Sequence, residues 1–379
     1  MPELPLMVDH KELFKGKRVV VRLDFNVPLE GVVIRDDYRI KESLPTINFL
    51  REAGARLVII SHIGKGKPED TLAPIAEYLN KIFPTTFLSK LHSDDNLRIT
   101  MDMQDSDVVL LENLRHDKGE ENNDPEFSQY LASLGALYVN DAFSVSHRAH
   151  ASVVGVPALL PHFTGIRLEQ EITRLALAFN PQHPFLFILG GAKISTKMPL
   201  LKKFLNVADH VFLGGTIVNN FYKVQGHEIG TSIYDKDELD GLDVYAKNPK
   251  LLIPKDVVVK NDGGRANKAL GAVTPGDMIV DVGADTVKGL SQIVGEAKLI
   301  VWNGPLGFYE EGFTDGTKEL LDLIAGSRAT SIIGGGDTVA LINDMGAIEK
   351  FSFVSTGGGA MLDYLANETL PGIIALEQQ

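Results

Sequence analysis

Residues 185–193 read FLFILGGAK: five consecutive apolar residues, Phe185 to Leu189, stopped by Gly190-Gly191 and followed by a cation, Lys193. A short run that is apolar at every position fits a strand buried on both faces of a sheet. Similar runs recur along the chain. The second half adds HVFLG (210–214), MIVDV (278–282), KLIVW (298–302), TSIIG (330–334) and FSFVS (351–355). The first half carries RVVVRL (18–23), RLVII (56–60), DVVLL (107–111) and ALYVN (136–140). Between them, KESLPTINFLREAG (41–54) and TLAPIAEYLNKIF (71–83) space apolar residues three and four apart, as amphipathic helices do. Strands alternating with helices predict α/β architecture with parallel sheets covered on both faces.

The residues at the end of each run divide the chain in two. First-half strands end in polar groups: Asp24 and Asn26, Ser61 and His62, Glu112 and Arg115, Asn140 and Asp141. Second-half strands end in glycine, as in ILGGAK, LGGT, VGAD, WNGPLG, IGGGD and STGGG. Open parallel sheets bind ligands at the carboxyl ends of their strands. The halves therefore read as two doubly wound, Rossmann-like domains with different mouths, one polar and basic, one of bare backbone. The helical pattern IRLEQEITRLALAF (166–179), stopped by Pro181 and Pro184, predicts a hinge helix over 166–180. The expected domains are 1–165 and 181–364, with a tail over 365–379.

The chain has 379 residues, 44% of them hydrophobic, enough for two cores. Its net charge of −13 argues against non-specific nucleic-acid binding. It has no cysteine, which excludes disulfides, cysteine-based zinc sites and a thiol nucleophile. No signal peptide or spanning segment is apparent, so a soluble, cytoplasmic protein with no membrane partner is expected.

An anionic ligand needs a locally basic site on this acidic background. Arg39, His62, Arg115, His147, Arg148 and His150, spread over several strand ends, suit a small anion carrying phosphate and carboxylate. Glycine turns backed by helix N-termini suit a polyphosphate, with Lys193 and Lys197 as phosphate ligands, on one face if a helix begins there. Asp337, directly after Gly334-Gly335-Gly336, can hold Mg²⁺ or cap the next helix. Glu310, in WNGPLGFYE, can accept ribose hydroxyls. A dinucleotide site would need GxGxxG opening a helix and an acidic residue about twenty positions on; neither is present. A solute-binding protein without turnover is the non-enzymatic alternative.

These motifs resemble the phosphoglycerate kinase family, in order through nearly the whole chain: RLDFNVPL, SLPTI, SHIG, LLENLR, NDAFSVSHRAHAS, ILGGAKIS, QGHEIG, VWNGPLG, IIGGGDT, STGGGA and LPGI. The resemblance implies phosphoryl transfer between 1,3-bisphosphoglycerate and ADP, giving 3-phosphoglycerate and ATP, with Mg²⁺, by a monomer whose domains close. It assigns Asp24, Asn26, Arg39, His62, Arg115 and Arg148 to 3-phosphoglycerate. Lys197, Gly214, Gly215, Asn303, Pro305, Glu310, Gly335, Gly336, Asp337 and Thr338 fall to the nucleotide, with Asp337 on the metal. Arg39, Lys193, Lys197, Gly336 and Gly359 fall to the transferring phosphoryl group, and Gly358 beside them. It also implies a tail that returns to the first domain. The chain departs from the family pattern at Lys65, where most relatives have a substrate-side arginine, at His116, where they have phenylalanine, and in a short stretch from Thr231 to Asp281.

Overall fold

The computed structural model describes residues 4–377. Residues 1–3 and 378–379, the outer ends of the expected first domain and tail, lie outside the described residues. The chain forms two compact units: Met1–Thr173 with Asn367–Gln379, and Arg174–Ala366.

The first unit is built on six parallel strands in the spatial order Thr86–Leu88, Val108–Leu111, Arg56–Ile60, Arg18–Arg22, Leu137–Asn140, His162–Thr164. Val19, Val20 and Val21 are fully buried, as a central parallel strand requires. The first strand in sequence lies centrally, so the chain leaves it in both directions and opens a crevice at its carboxyl end. Loops after Arg22, Ile60 and Asn140 meet there. The two edge strands have three residues each, too few to register as apolar runs.

The second unit carries six parallel strands in the order Leu251–Leu252, His210–Leu213, Phe185–Leu189, Leu299–Asn303, Thr330–Gly334, Phe353–Val354. In sequence rank this is 3-2-1-4-5-6, the doubly wound order. MIVDV is a correction to the sequence reading. Met278–Val282 is not in this sheet but pairs antiparallel with Asp256–Asn261, which pairs with Gly264–Ala269. The charges of Asp256, Lys260, Arg265 and Lys268 obscure those two strands in the sequence. Asp277, fully buried, ties the small sheet together: it accepts from Lys268 Nζ (2.6 Å), Asn261 Nδ2 (2.6 Å) and the Thr274 N–H (2.7 Å).

The expected helix over 166–180 is observed as Ile166–Ala176, with turns to Phe179. Its N-terminus is capped by Asp141, whose Oδ1 accepts from the N–H groups of Arg167 (2.7 Å) and Leu168 (3.0 Å). The unit boundary falls inside this helix, after Thr173. The last helix, Pro371–Glu377, packs on Ala151–Gly155 of the first unit. There the Gly372 N–H donates to Ser146 O at 2.8 Å, and a side chain at Gly372 would collide with Ser146 and Val153. Among the described residues no helix is long and apolar enough to cross a membrane.

Candidate substrate and nucleotide sites

In the first unit, Asp24 lies at the start of the loop after the central strand and is almost completely buried. Its Oδ2 accepts from Arg39 Nη1 (2.7 Å) and Ser144 Oγ (2.5 Å). Arg39 is the second residue of the helix Tyr38–Glu52 and also donates to Asn26 O at 3.4 Å. Asn26 braces the neighbouring loop, because its Oδ1 accepts from the Gly64 N–H at 3.0 Å. Arg115 donates through Nη1 to Gly64 O and lies 3.6 Å from Glu121 Oε1. The three loops that carry Asp24, His62 and Arg115 are thus fastened to one another by side-chain–backbone bonds.

Charge dominates this site. His62 is buried, and its pKa is pushed well below the ordinary value by desolvation, then by Arg22, Arg115, Arg39 and Arg148. His150 is lowered to about 4, again by burial first and then by Arg148, Arg22 and Arg115. Both rings are neutral near pH 7 and the arginines carry the charge. An oxyanion would find guanidinium forks and uncharged imidazole there, and no thiol or paired carboxylates for acid–base work. Arg148 is exposed, with Nε 3.3 Å from His147 Nε2. Lys65 is exposed on the turn ordered by Asp70, which accepts from the Lys65 and Lys67 N–H groups. His116, also exposed, lies 3.1 Å from Lys67 O.

Other polar strand ends turn inward and are corrections to the reading of them as a mouth. Ser61 Oγ donates to Leu23 O (2.7 Å). Glu112 accepts from Thr71 Oγ1 (2.6 Å) and the Leu72 N–H (2.9 Å). Asn140 Oδ1 accepts from the Ala142 N–H, and Asp141 is the helix cap described above. They hold loops in place.

In the second unit the glycines are of two kinds. Some permit backbone to touch backbone. A Cβ on Gly190 would lie 2.2 Å from Pro305 O, and one on Gly215 would lie 2.5 Å from Gly191 N. The Gly190 N–H donates to Asn303 O, Gly191 to Pro305 O and Gly215 to Leu306 O. Three strand-end turns are therefore stitched edge to edge. Gly336 and Gly358, in contrast, have open space around them. Gly336 and Gly359 each begin a nine-residue helix, Gly336–Asp344 and Gly359–Asn367, at the ends of neighbouring strands. Their first-turn amides are suited to an anion.

Lys197 is largely buried, its ammonium lowered by desolvation, with no hydrogen bond or ion pair among the described residues. A side chain at Gly191 would approach its Nζ to 3.5 Å, so the ammonium lies over that turn. The shared helical face expected for Lys193 and Lys197 is not observed. The helix begins at Met198, and Lys193 is exposed one turn earlier, its carbonyl accepting from Thr196 Oγ1. Asn303 is buried with Nδ2 3.4 Å from Met361 Sδ, and Pro305 is buried as a backbone acceptor. Trp302 is fully buried, its indole N–H on Gly304 O at 2.7 Å, and braces the loop from within. Glu310 lies exposed on the turn Tyr309–Glu311. Thr338 is buried with no partner for Oγ1.

Asp337 tests the fit of Mg²⁺. Its carboxyl is raised by partial burial and then by Glu310, and no lysine or arginine pairs with it among the described residues. Two carboxylates short of a counter-cation fit a divalent ion. No cluster of three or more potential ligands occurs among the described residues, so further oxygens must come from a phosphate ligand and water.

Beside Gly215 lies a narrow, mostly apolar recess of about 10 Å³, walled by Val218, Val257, Ile279, Leu306 and Phe308, which the sequence reading did not foresee. One of its walls, Val257, comes from an antiparallel strand that the sequence pattern hid, and Ile279 comes from the run Met278–Val282 that pairs with it.

The phosphoglycerate kinase family model matches residues 8–368. A phosphoglycerate kinase of Dictyoglomus turgidum is 42% identical over 385 residues, covering 97% of each chain. The solved phosphoglycerate kinase of Coxiella burnetii is 37% identical, with a TM-score of 0.83 over 96% of this chain and 97% of that one. The enzyme of Pyrococcus horikoshii is 31% identical, with a TM-score of 0.86 over 98% of each.

Proposed function

Because this chain belongs to the phosphoglycerate kinase family, we propose that it transfers a phosphoryl group reversibly between 1,3-bisphosphoglycerate and ADP, giving 3-phosphoglycerate and ATP. The observation that carries the reading is the pairing of two unlike anion sites in one chain. One is a guanidinium-rich crevice with neutral histidines. The other joins open helix N-termini to a partly buried lysine that has no partner among the described residues.

In the direction from ATP the acceptor is the carboxylate of 3-phosphoglycerate, ionised at pH 7 because such groups titrate near ~3.5. No general base is needed. Catalysis reduces to positioning and to stabilising charge on an in-line phosphoryl group. Arg39, held by Asp24, and Arg115 and Arg148 bind 3-phosphoglycerate, with His62 and Asn26 beside them. Lys65 adds a point charge where a guanidinium would supply a fork. The turn at Gly214 and Gly215 faces adenine, Glu310 takes the ribose, and the amides from Gly335 to Thr338 the phosphates. Mg²⁺ on Asp337 would neutralise phosphate charge. Lys197, with Lys193, meets the migrating phosphoryl, as do Arg39 and the turns at Gly336 and Gly359.

In-line transfer requires reacting atoms within roughly 3–3.5 Å and water excluded. The reading therefore includes closure of residues 1–165 on 181–364 about the segment 166–180. Each site is built within one chain, so a monomer suffices. The test is an assay with 3-phosphoglycerate and MgATP, coupling the acyl phosphate formed to NADH oxidation. Binding of both ligands without turnover would overturn the proposal.

A further inference from the structure

Arg22 ends the central strand of the first unit and is 1% exposed, yet the reaction proposed above gives it no task. A guanidinium can only donate hydrogen bonds. Arg22 Nε donates to Ser152 Oγ at 2.9 Å and Nη1 to Leu23 O at 2.5 Å. Nη2 lies 3.0 Å from His62 Nδ1. Ser152 Oγ in turn donates to Glu120 Oε1 at 2.6 Å, and Glu120 Oε2 accepts the Ser152 N–H at 3.0 Å. Glu120 is wholly buried, so one hydroxyl links a buried cation to a buried anion. Glu120 also lies 3.8 Å from His150 Nδ1.

This chain of donors fixes the protons on His62. Facing a guanidinium N–H, Nδ1 can only accept. A neutral ring must then carry its proton on Nε2. A charged ring would oppose N–H to N–H, and the surrounding guanidiniums disfavour it further. Nε2 has no acceptor among the described residues, so that N–H is left for a ligand. The other tautomer would turn a lone pair toward an oxyanion.

We infer that Arg22, anchored by Ser152 and Glu120, is a positioning residue that locks His62 as a neutral donor protonated on Nε2. Through that N–H the first unit binds an oxyanion of 3-phosphoglycerate with a polarity that does not change near neutral pH. The inference rests on the reading that His62 contacts this substrate.

The test is long-range ¹H–¹⁵N NMR of the full chain labelled at histidine, with His62 assigned by its loss in His62→Gln. Expected is a protonated Nε2 and a bare Nδ1 throughout about pH 5.5–8, where an ordinary histidine titrates. The Nε2 signals should shift when 3-phosphoglycerate is added. In Arg22→Met the ring should titrate within that range. Affinity for 3-phosphoglycerate should fall on the order of tenfold, the scale of one hydrogen bond to a charged group. ADP affinity should not change, and Arg22→Lys should restore part of the loss. Should the Arg22 variants not fold, a second pair carries the same question. In His62→Gln the glutamine amide nitrogen can stand where Nε2 stood, whereas His62→Asn can supply only the Nδ1 position. The glutamine variant should therefore bind 3-phosphoglycerate more tightly than the asparagine variant. A charged ring, an Nδ1–H tautomer, or equal losses in the two variants would overturn the lock. The expected tautomer with signals indifferent to 3-phosphoglycerate would instead overturn the binding reading beneath it, and the donor role with it.

Discussion

A partly buried ammonium without a partner is costly unless a ligand supplies the counter-charge. Lys197 is such a group, and the desolvation that lowers its pKa has no carboxylate to offset it. If the phosphoryl group is that counter-charge, and is met mainly in the transition state, Lys197→Ala should lower kcat by on the order of 10²-fold or more, with a smaller rise in KM. Steady-state kinetics check this; a near-normal kcat would make the lysine a ground-state contact. Lys197 and Asp337 were legible in the sequence because each comes after a strand-end glycine pair or triplet. Arg22 was not. It lies inside an apolar run, and nothing in RVVVRL marks its guanidinium as the partner of a histidine forty positions away.

At the scale of elements, strand-end glycines do two jobs that the sequence cannot separate. Gly190→Ala would push a methyl group into Pro305 O and should destabilise by about 1–3 kcal/mol or more, the cost of overpacking. Gly336→Ala meets open space and should leave Tm nearly unchanged while raising KM for ATP. Thermal melts beside kinetics separate the two. The helix cap at Asp141 gives a pH signature. Burial raises its carboxyl to about 7, against hydrogen bonds from Leu168, Thr46 and Arg167 that favour ionisation. The folded chain therefore holds a proton that the unfolded chain releases near its ordinary value of ~3.9. Stability from this group is greatest at low pH and declines as pH rises from about 4 to about 7. Melts across that range should show a decline for the wild-type chain, and Asp141→Asn should flatten its upper part. An unchanged slope would mean that the carboxyl is ionised throughout.

For the whole molecule, the proposal divides labour between the two units. Arg148→Ala should weaken 3-phosphoglycerate binding and leave ADP binding nearly unchanged, as measured by isothermal titration; equal losses would sink that division. Proposed closure has its own measurement. The radius of gyration from X-ray scattering should fall with 3-phosphoglycerate plus a non-hydrolysable ATP analogue, and change less with either alone. An unchanged radius in the ternary sample, with binding verified, would exclude large closure.

The sequence by itself determined the α/β class and the family. Continuous apolar runs alternating with amphipathic helical segments favour parallel sheets covered on both faces, and ordered motifs at compatible spacing leave little freedom of identity. It also distinguished a basic first half from a glycine-lined second half, because residue type at a strand end is local information. Only the tertiary structure decided which polar strand ends are braces, as Glu112 and Asn140 are. It alone moved Met278–Val282 out of the main sheet and put Val257 and Ile279 into the wall of a recess. Hydrogen-bond partners and backbone contacts join residues far apart in the chain. A side chain's duty is settled by what lies across the crevice from it, and no one-dimensional pattern records that.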